Sequence, residues 1–138
     1  MTRIAALAVA LLALAGCSVE AAGGAAEGFP DAAYATVVSD GGALTIEVRT
    51  APTQPPARGR VTVEYTVTAG PTDGLDLDVV PWMPDMGHGA STTPVVEALE
   101  GGRYRASGVD LFMPGRWELR TEISGAVRDS AIVTFQIP

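Results

Sequence analysis

Four side chains in this sequence could hold a soft metal ion without a cysteine: Met83, Met86, His88 and Met113. Three of them fall within six residues, in the stretch Val80-Pro81-Trp82-Met83-Pro84-Asp85-Met86-Gly87-His88-Gly89-Ala90-Ser91. That stretch also holds one of the two tryptophans and the only histidine. The fourth stands in Leu111-Phe112-Met113-Pro114-Gly115. Thioethers are soft donors that suit Cu(I), and imidazole suits copper in either oxidation state. A neutral Met/His set needs no thiolate, so it survives an oxidising space in which a cysteine site would be lost. By composition Val80–Ser91 reads as a loop, and large apolar side chains in a loop point to function. The same residues have a plainer reading. Methionine fills gaps in cores, Met-Pro can plug the end of a sandwich, Trp82 can simply pack, and a lone histidine on a loop is commonly solvated surface. Types and spacing alone leave both readings open.

Other chemistries find less support. His88 is the only base available to a nucleophilic serine, and Ser91 nearby has no orienting acid at a recognisable spacing. Asp73, Asp76, Asp78 and Asp85 are spread over a loop and a strand and lack the dense oxygen-ligand loop of a calcium site. No glycine-rich phosphate loop precedes a helix. These absences, with the composition, argue for a binding module and against an enzyme.

The elements that must position these residues read as strands. Arg60 to Thr68 (RVTVEYTVT) alternates polar and apolar residues, the period of a strand with one buried face. Arg116 to Ile123 does the same, with Trp117, Leu119 and Ile123 inward and Arg116, Glu118, Arg120 and Glu122 outward. Ala131, Val133, Phe135 and Ile137 form the inward set of a last strand. Shorter candidates are Tyr34–Val38, Leu44–Arg49, Leu75–Val80, Val95–Leu99 and Tyr104–Val109. Turn residues separate them at Asp40-Gly41-Gly42, Pro71-Thr72-Asp73-Gly74, Gly101-Gly102 and Pro114-Gly115, and Ala51–Gly59 is a longer proline-rich connection. The pattern predicts an all-β fold, an immunoglobulin-like β-sandwich of about seven strands, over residues 29–138. Loops from one end of a sandwich converge, which would bring Met113 toward the Val80–Ser91 segment. With a single cysteine in the chain, packing has to hold the two sheets together.

The first residues read as an address. Met1-Thr2-Arg3 is a short positive start, and Ile4 to Leu14 is an uninterrupted apolar run of 11 residues. That is too short for a spanning helix, which needs ~20 residues, and suits a secretory signal over 1–16. Leu14-Ala15-Gly16-Cys17 resembles the lipobox of bacterial lipoproteins at all four positions. The resemblance implies cleavage before Cys17, lipidation of its thiol, and anchoring at an extracytoplasmic membrane face, in the periplasm or at the cell surface. Several acyl chains hold a protein at a bilayer where one would not. Residues 17–28 are rich in Ala, Gly and Glu, too poor in branched apolar residues to bury a core, and read as a flexible tether.

Taken together, the MPDMGHG block, the GGRYRA hairpin that follows, and LFMPGRWELR resemble the YtkA-like domain family, which is itself similar to FixH-type periplasmic domains. The resemblance runs from about Leu44 to Ile137. It implies an immunoglobulin-like sandwich outside the cytoplasmic membrane and a link to copper handling and haem–copper oxidase assembly. The family's motif methionines fall on Met83, Met86 and Met113 and its histidine on His88. The chain offers one histidine where better-defined Met/His copper chaperones have two.

Composition bounds the partners. The 138 residues carry a formal charge of −7, and all nine basic residues are arginine. An acidic chain of this kind is a poor partner for nucleic acid, and 138 residues have room for one domain. Two functions remain. One is a monomeric, membrane-anchored Cu(I)-binding module that passes copper to a membrane-protein acceptor. The other is a structural or interaction sandwich without metal, with the MPDMGHG loop as its contact surface.

Overall fold

The computed structural model describes residues 28–138. The expected signal segment, Cys17 and all but the last residue of the expected tether lie outside the described residues. Every regular element among those described is a strand: β1 (Ala35–Val38), β2 (Thr45–Ala51), β3 (Gly59–Ala69), β4 (Leu75–Met83), β5 (His88–Gly89), β6 (Val95–Ala98), β7 (Arg103–Leu111), β8 (Gly115–Gly125) and β9 (Asp129–Ile137). They form two antiparallel sheets, one ordered β1-β2-β3-β7-β6 and the other β5-β4-β8-β9. Taking β2 as the first strand, these are the A-B-E-D and C′-C-F-G orders of an immunoglobulin sandwich, with β1 added at one edge.

The alternation read from the sequence places the core. Val61, Val63, Tyr65 and Val67 of β3 face Trp117, Leu119 and Ile123 of β8, and Ala131, Val133, Phe135 and Ile137 of β9 line the same interior; all are buried. No disulfide crosses between the sheets in this core. Instead the fully buried Tyr65 hydroxyl meets the Thr121 hydroxyl at 3.2 Å across the sandwich. Burial in apolar surroundings pushes the Tyr65 phenol up to about 12, with the Thr121 contact opposing the rise. On one flank β1 reaches over to β9: the Tyr34 and Phe135 rings lie 5.0 Å apart, and the Tyr34 hydroxyl donates to the Thr134 carbonyl at 3.1 Å. On the other flank the chain crosses from β5 to β6 between the sheets.

The expected all-β sandwich is present, with nine strands against about seven: the eight candidate segments all form strands, and the two-residue β5 is added at a sheet edge. One expectation needs correction. Val80–Ser91 is not a loop: β4 continues through Val80, Pro81, Trp82 and Met83, and only Pro84–Gly87 is a turn. Proline punctuated the sequence here without ending the strand. The Pro81 carbonyl accepts from the Ala90 amide at 3.2 Å, so its backbone polar edge faces β5. The ladder stops there, and the missing N–H breaks no bond with β8.

Candidate metal site at one end of the sandwich

The MPDMGH segment is a tight hairpin. The Met83 carbonyl accepts from the amides of Met86 at 3.2 Å and Gly87 at 2.9 Å. Gly87 then reverses the chain at φ 67°, a left-handed conformation that glycine adopts without a Cβ clash. Outside the turn, Asp85 pairs with Arg116 at 3.0 Å. The register sets Met83 directly opposite His88 and Trp82 opposite Gly89. Directly paired residues share a face of the sheet, with Cβ atoms about 4.5–5.5 Å apart. Met83 points into the core and is 2% exposed, so His88 stands beside it on the inner face, at the open end where it reaches solvent. The His88 Nδ1 lies 3.1 Å from the Gly89 carbonyl oxygen. In the tautomer this contact favours, Nδ1 donates and Nε2 carries the free lone pair.

The β7–β8 turn comes up against this hairpin. A Cβ on Gly115 would lie 3.1 Å from the Met83 terminal methyl, so Met83 sits directly under the Met113–Gly115 turn. His88 and Met113 line one pocket of about 220 Å³, together with Asp110, Phe112, Trp117 and the backbone around Ala90. Trp117, itself buried, donates its indole N–H to the Met113 carbonyl at 2.9 Å and fixes the turn. The pocket wall from Ala90 onward is held by Asp110. This buried carboxylate accepts from Arg60 at 2.7 and 3.2 Å and from the Thr92 hydroxyl. The Arg60 hydrogen bonds, and after them Thr92, hold the Asp110 carboxyl below the ordinary carboxylate range. With both oxygens engaged, Asp110 ties the crossing segment to β3 and is not a free ligand.

The structure therefore gathers three of the four sequence-predicted residues: His88 and Met113 in one pocket and Met83 beneath their turn. Met86 is different. It sits on the tip of the hairpin, 55% exposed, and is not among the residues that line the pocket. Trp82 faces the outer side of its sheet, under the Arg120 guanidinium at 5.0 Å from the ring centroid. Trp117 is in the core, as its inward position in the sequence implies, and also lines the pocket. Phe112, in the pocket, and Thr92, bonded to Asp110, carry no sequence signal of a site. The signal for Asp110 was present: a carboxylate inside the apolar run Val109-Asp110-Leu111 has to find partners.

The donor types fit Cu(I). Two thioethers and one imidazole are neutral, soft-to-borderline ligands, and Cu(I) accepts such sets. Among the described residues no group of three His, Cys, Asp or Glu is placed to hold a metal ion, so a metal here would have to draw on the methionines.

An immunoglobulin-like sandwich with a methionine–histidine hairpin closing one end defines the class of this protein. The chain belongs to the YtkA-like family, whose pattern it matches over residues 40–122, more than half its length. The match begins before β2 and contains both methionine segments. It stops short of β9, which the resemblance read from the sequence had included, although β9 supplies a share of the core. No curated protein and no solved structure matches the chain.

Proposed function

We propose that this protein is a lipid-anchored, extracytoplasmic Cu(I)-binding module that passes copper by ligand exchange to a membrane acceptor such as a haem–copper oxidase. The observation that carries this reading is the pairing of Met83 with His88 at the end of a hairpin, with Met113 in the same pocket as His88. His88 Nε2 and the Met113 thioether form the open part of the site, and Met83 supplies the donor from below. Met86, on the exposed tip, is the outer ligand through which copper enters and leaves. Nothing is turned over, so the protein is not an enzyme. Anchoring at Cys17 confines donor and acceptor to one surface, which raises their effective concentration without any new contact.

The experiment is an anaerobic Cu(I) competition titration against a chromogenic chelator. It uses the wild-type chain and the Met83→Leu, Met113→Leu and His88→Ala variants. One equivalent of Cu(I) withdrawn from the chelator, and progressively lost across the variants, supports the carrier. No competition by the wild type removes copper from the account. That result would favour the second reading, an interaction module without metal. The specific observation behind it is the exposed apolar surface of Met86, Phe112 and Met113 around the pocket.

A further inference from the structure

The chain enters the folded domain at the same end as the pocket. Gly28 lies against Ala51, the last residue of β2. The segment after it is tied down there: Arg49 donates to the Asp31 carbonyl at 2.9 Å and the Gln54 amide to the Ala32 carbonyl at 2.9 Å. In the register of the first sheet, Ala51 pairs with Thr62 and Gly59 with Leu111, the residue before the Phe112–Pro114 turn. The β2–β3 connection, the entry of the chain, the β7–β8 turn and the β4–β5 hairpin therefore share one end.

That end is also apolar at its tips and balanced in charge. Phe112 is 57%, Met86 55% and Met113 38% exposed. Its charges balance in number: Asp85 pairs with Arg116 and Asp110 with Arg60, and the exposed Asp31 is offset by the exposed Arg58, which donates to the Pro138 carbonyl at 3.1 Å. The opposite end is net acidic, with Asp40, Asp73, Asp76, Glu100 and Asp129 in or beside its turns against Arg103 and Arg128. An acidic protein held at an anionic bilayer turns its acidic end away, and exposed apolar tips gain by entering the headgroup region.

We infer that the pocket end of the sandwich docks on the phospholipid bilayer, with Phe112, Met113 and Met86 as the contacting tips. The inference rests on the proposed anchor at Cys17. From Cys17 to Gly28 the chain spans 11 residues, which reach at most about 40 Å. Entering at the pocket end, this length lets the tips lie directly on the membrane. Entering at the other end, nearly all of that length would be spent running back along the sandwich, about 36 Å for an 11-residue strand, before the tips could touch the membrane. Copper exchange would then take place at the membrane face, where a membrane acceptor presents its own site.

The test uses the full chain, isolated with its acyl groups and reconstituted into vesicles of phosphatidylcholine and phosphatidylglycerol. Cys17 is the only native cysteine and is blocked when acylated, so an environment-sensitive dye can be placed at Phe112→Cys or, at the opposite end, at Ser124→Cys. The expected result is a blue-shifted dye at 112 that aqueous iodide does not reach and lipid-borne quenchers do, and an iodide-accessible dye at 124. A dye placed at Met86→Cys loses its protection when Phe112→Glu is added. An acylated chain whose 112 dye stays as open to iodide as the 124 dye overturns the docking and leaves the anchor standing. Absence of acyl mass on Cys17 overturns the anchor and the docking with it. Protection at 112 in native membranes but not in protein-free vesicles assigns the face to a membrane protein and overturns the lipid contact.

Discussion

Met83 is both a core residue and a proposed ligand, and two substitutions separate the roles. It is 2% exposed, packed in the continuous core and in contact range of the Gly115 position. Met83→Ala removes a buried side chain at the end of β4, where the hairpin on one side and the β7–β8 turn on the other resist collapse into the gap. The expected cost is about 2–5 kcal/mol. That is a large share of the ~5–15 kcal/mol that holds a domain folded, so metal loss in this variant would say nothing about coordination. Met83→Leu keeps the volume and the apolar character, costs less than about 1.5 kcal/mol, and removes only the sulfur. Urea unfolding of both variants measures the first role; Cu(I) competition on Met83→Leu measures the second. Loss of a ligand should cost at least the ~10–100-fold in affinity that follows loss of a ligand's outer partner. A Met83→Leu protein that competes for Cu(I) as the wild type does would remove Met83 from the ligand set and leave it as packing. A Met83→Ala protein with unchanged unfolding would refute the placement of this side chain in the core.

Three further outcomes can be checked on the same protein. The Tyr65 phenol titrates near 12 in the folded state against 10 when free, so the folded state keeps its proton longer. The corresponding stability is present below pH 10 and lost between pH 10 and 12, about 3 kcal/mol, and Tyr65→Phe should flatten that alkaline decline in pH-dependent urea midpoints. Asp110→Asn breaks the charged contact that holds the crossing segment and should cost about 1–2 kcal/mol at neutral pH. Because the Asp110 carboxyl is held below its ordinary value of 3.8, the wild type loses this advantage as pH falls below about 4, and the two proteins should converge there. Trp117 lines the pocket and Trp82 does not, so Cu(I) should quench tryptophan emission in wild type and in Trp82→Phe, and fail to do so in Trp117→Phe.

Most of the sandwich was written in the two-residue alternation of β3, β8 and β9, because a strand with one face in the core must alternate. What alternation could not show was the path between Val80 and Ser91. There local composition, rich in Pro and Gly, argued for a loop, and the tertiary setting of Pro81 at the end of a ladder overrode it. The same error hid the most useful relation in the site. Met83 and His88 looked like neighbours in a loop, whereas they are partners across a hairpin, which is a stronger constraint on their distance. Met86 illustrates the opposite case: its type and spacing match the other candidate ligands, but a turn residue has no sheet face to assign it, and it ends at the tip. Trp117 was legible as buried and not as lining a pocket, because a strand pattern gives the side of a sheet but not which turn covers its end.

The Pro84–Gly87 turn is, in effect, a measuring rod. Side chains along a strand alternate between faces, so its four residues decide on which face His88 emerges opposite Met83. One residue more would send the imidazole out beside Trp82 and set the glycine before it opposite Met83; one fewer would draw His88 into the turn and set Gly89 opposite Met83, with every donor type still present in the sequence. The turn's length, more than the identity of Pro84 or Asp85 within it, is what separates a chain that can assemble this constellation from one that merely contains its letters.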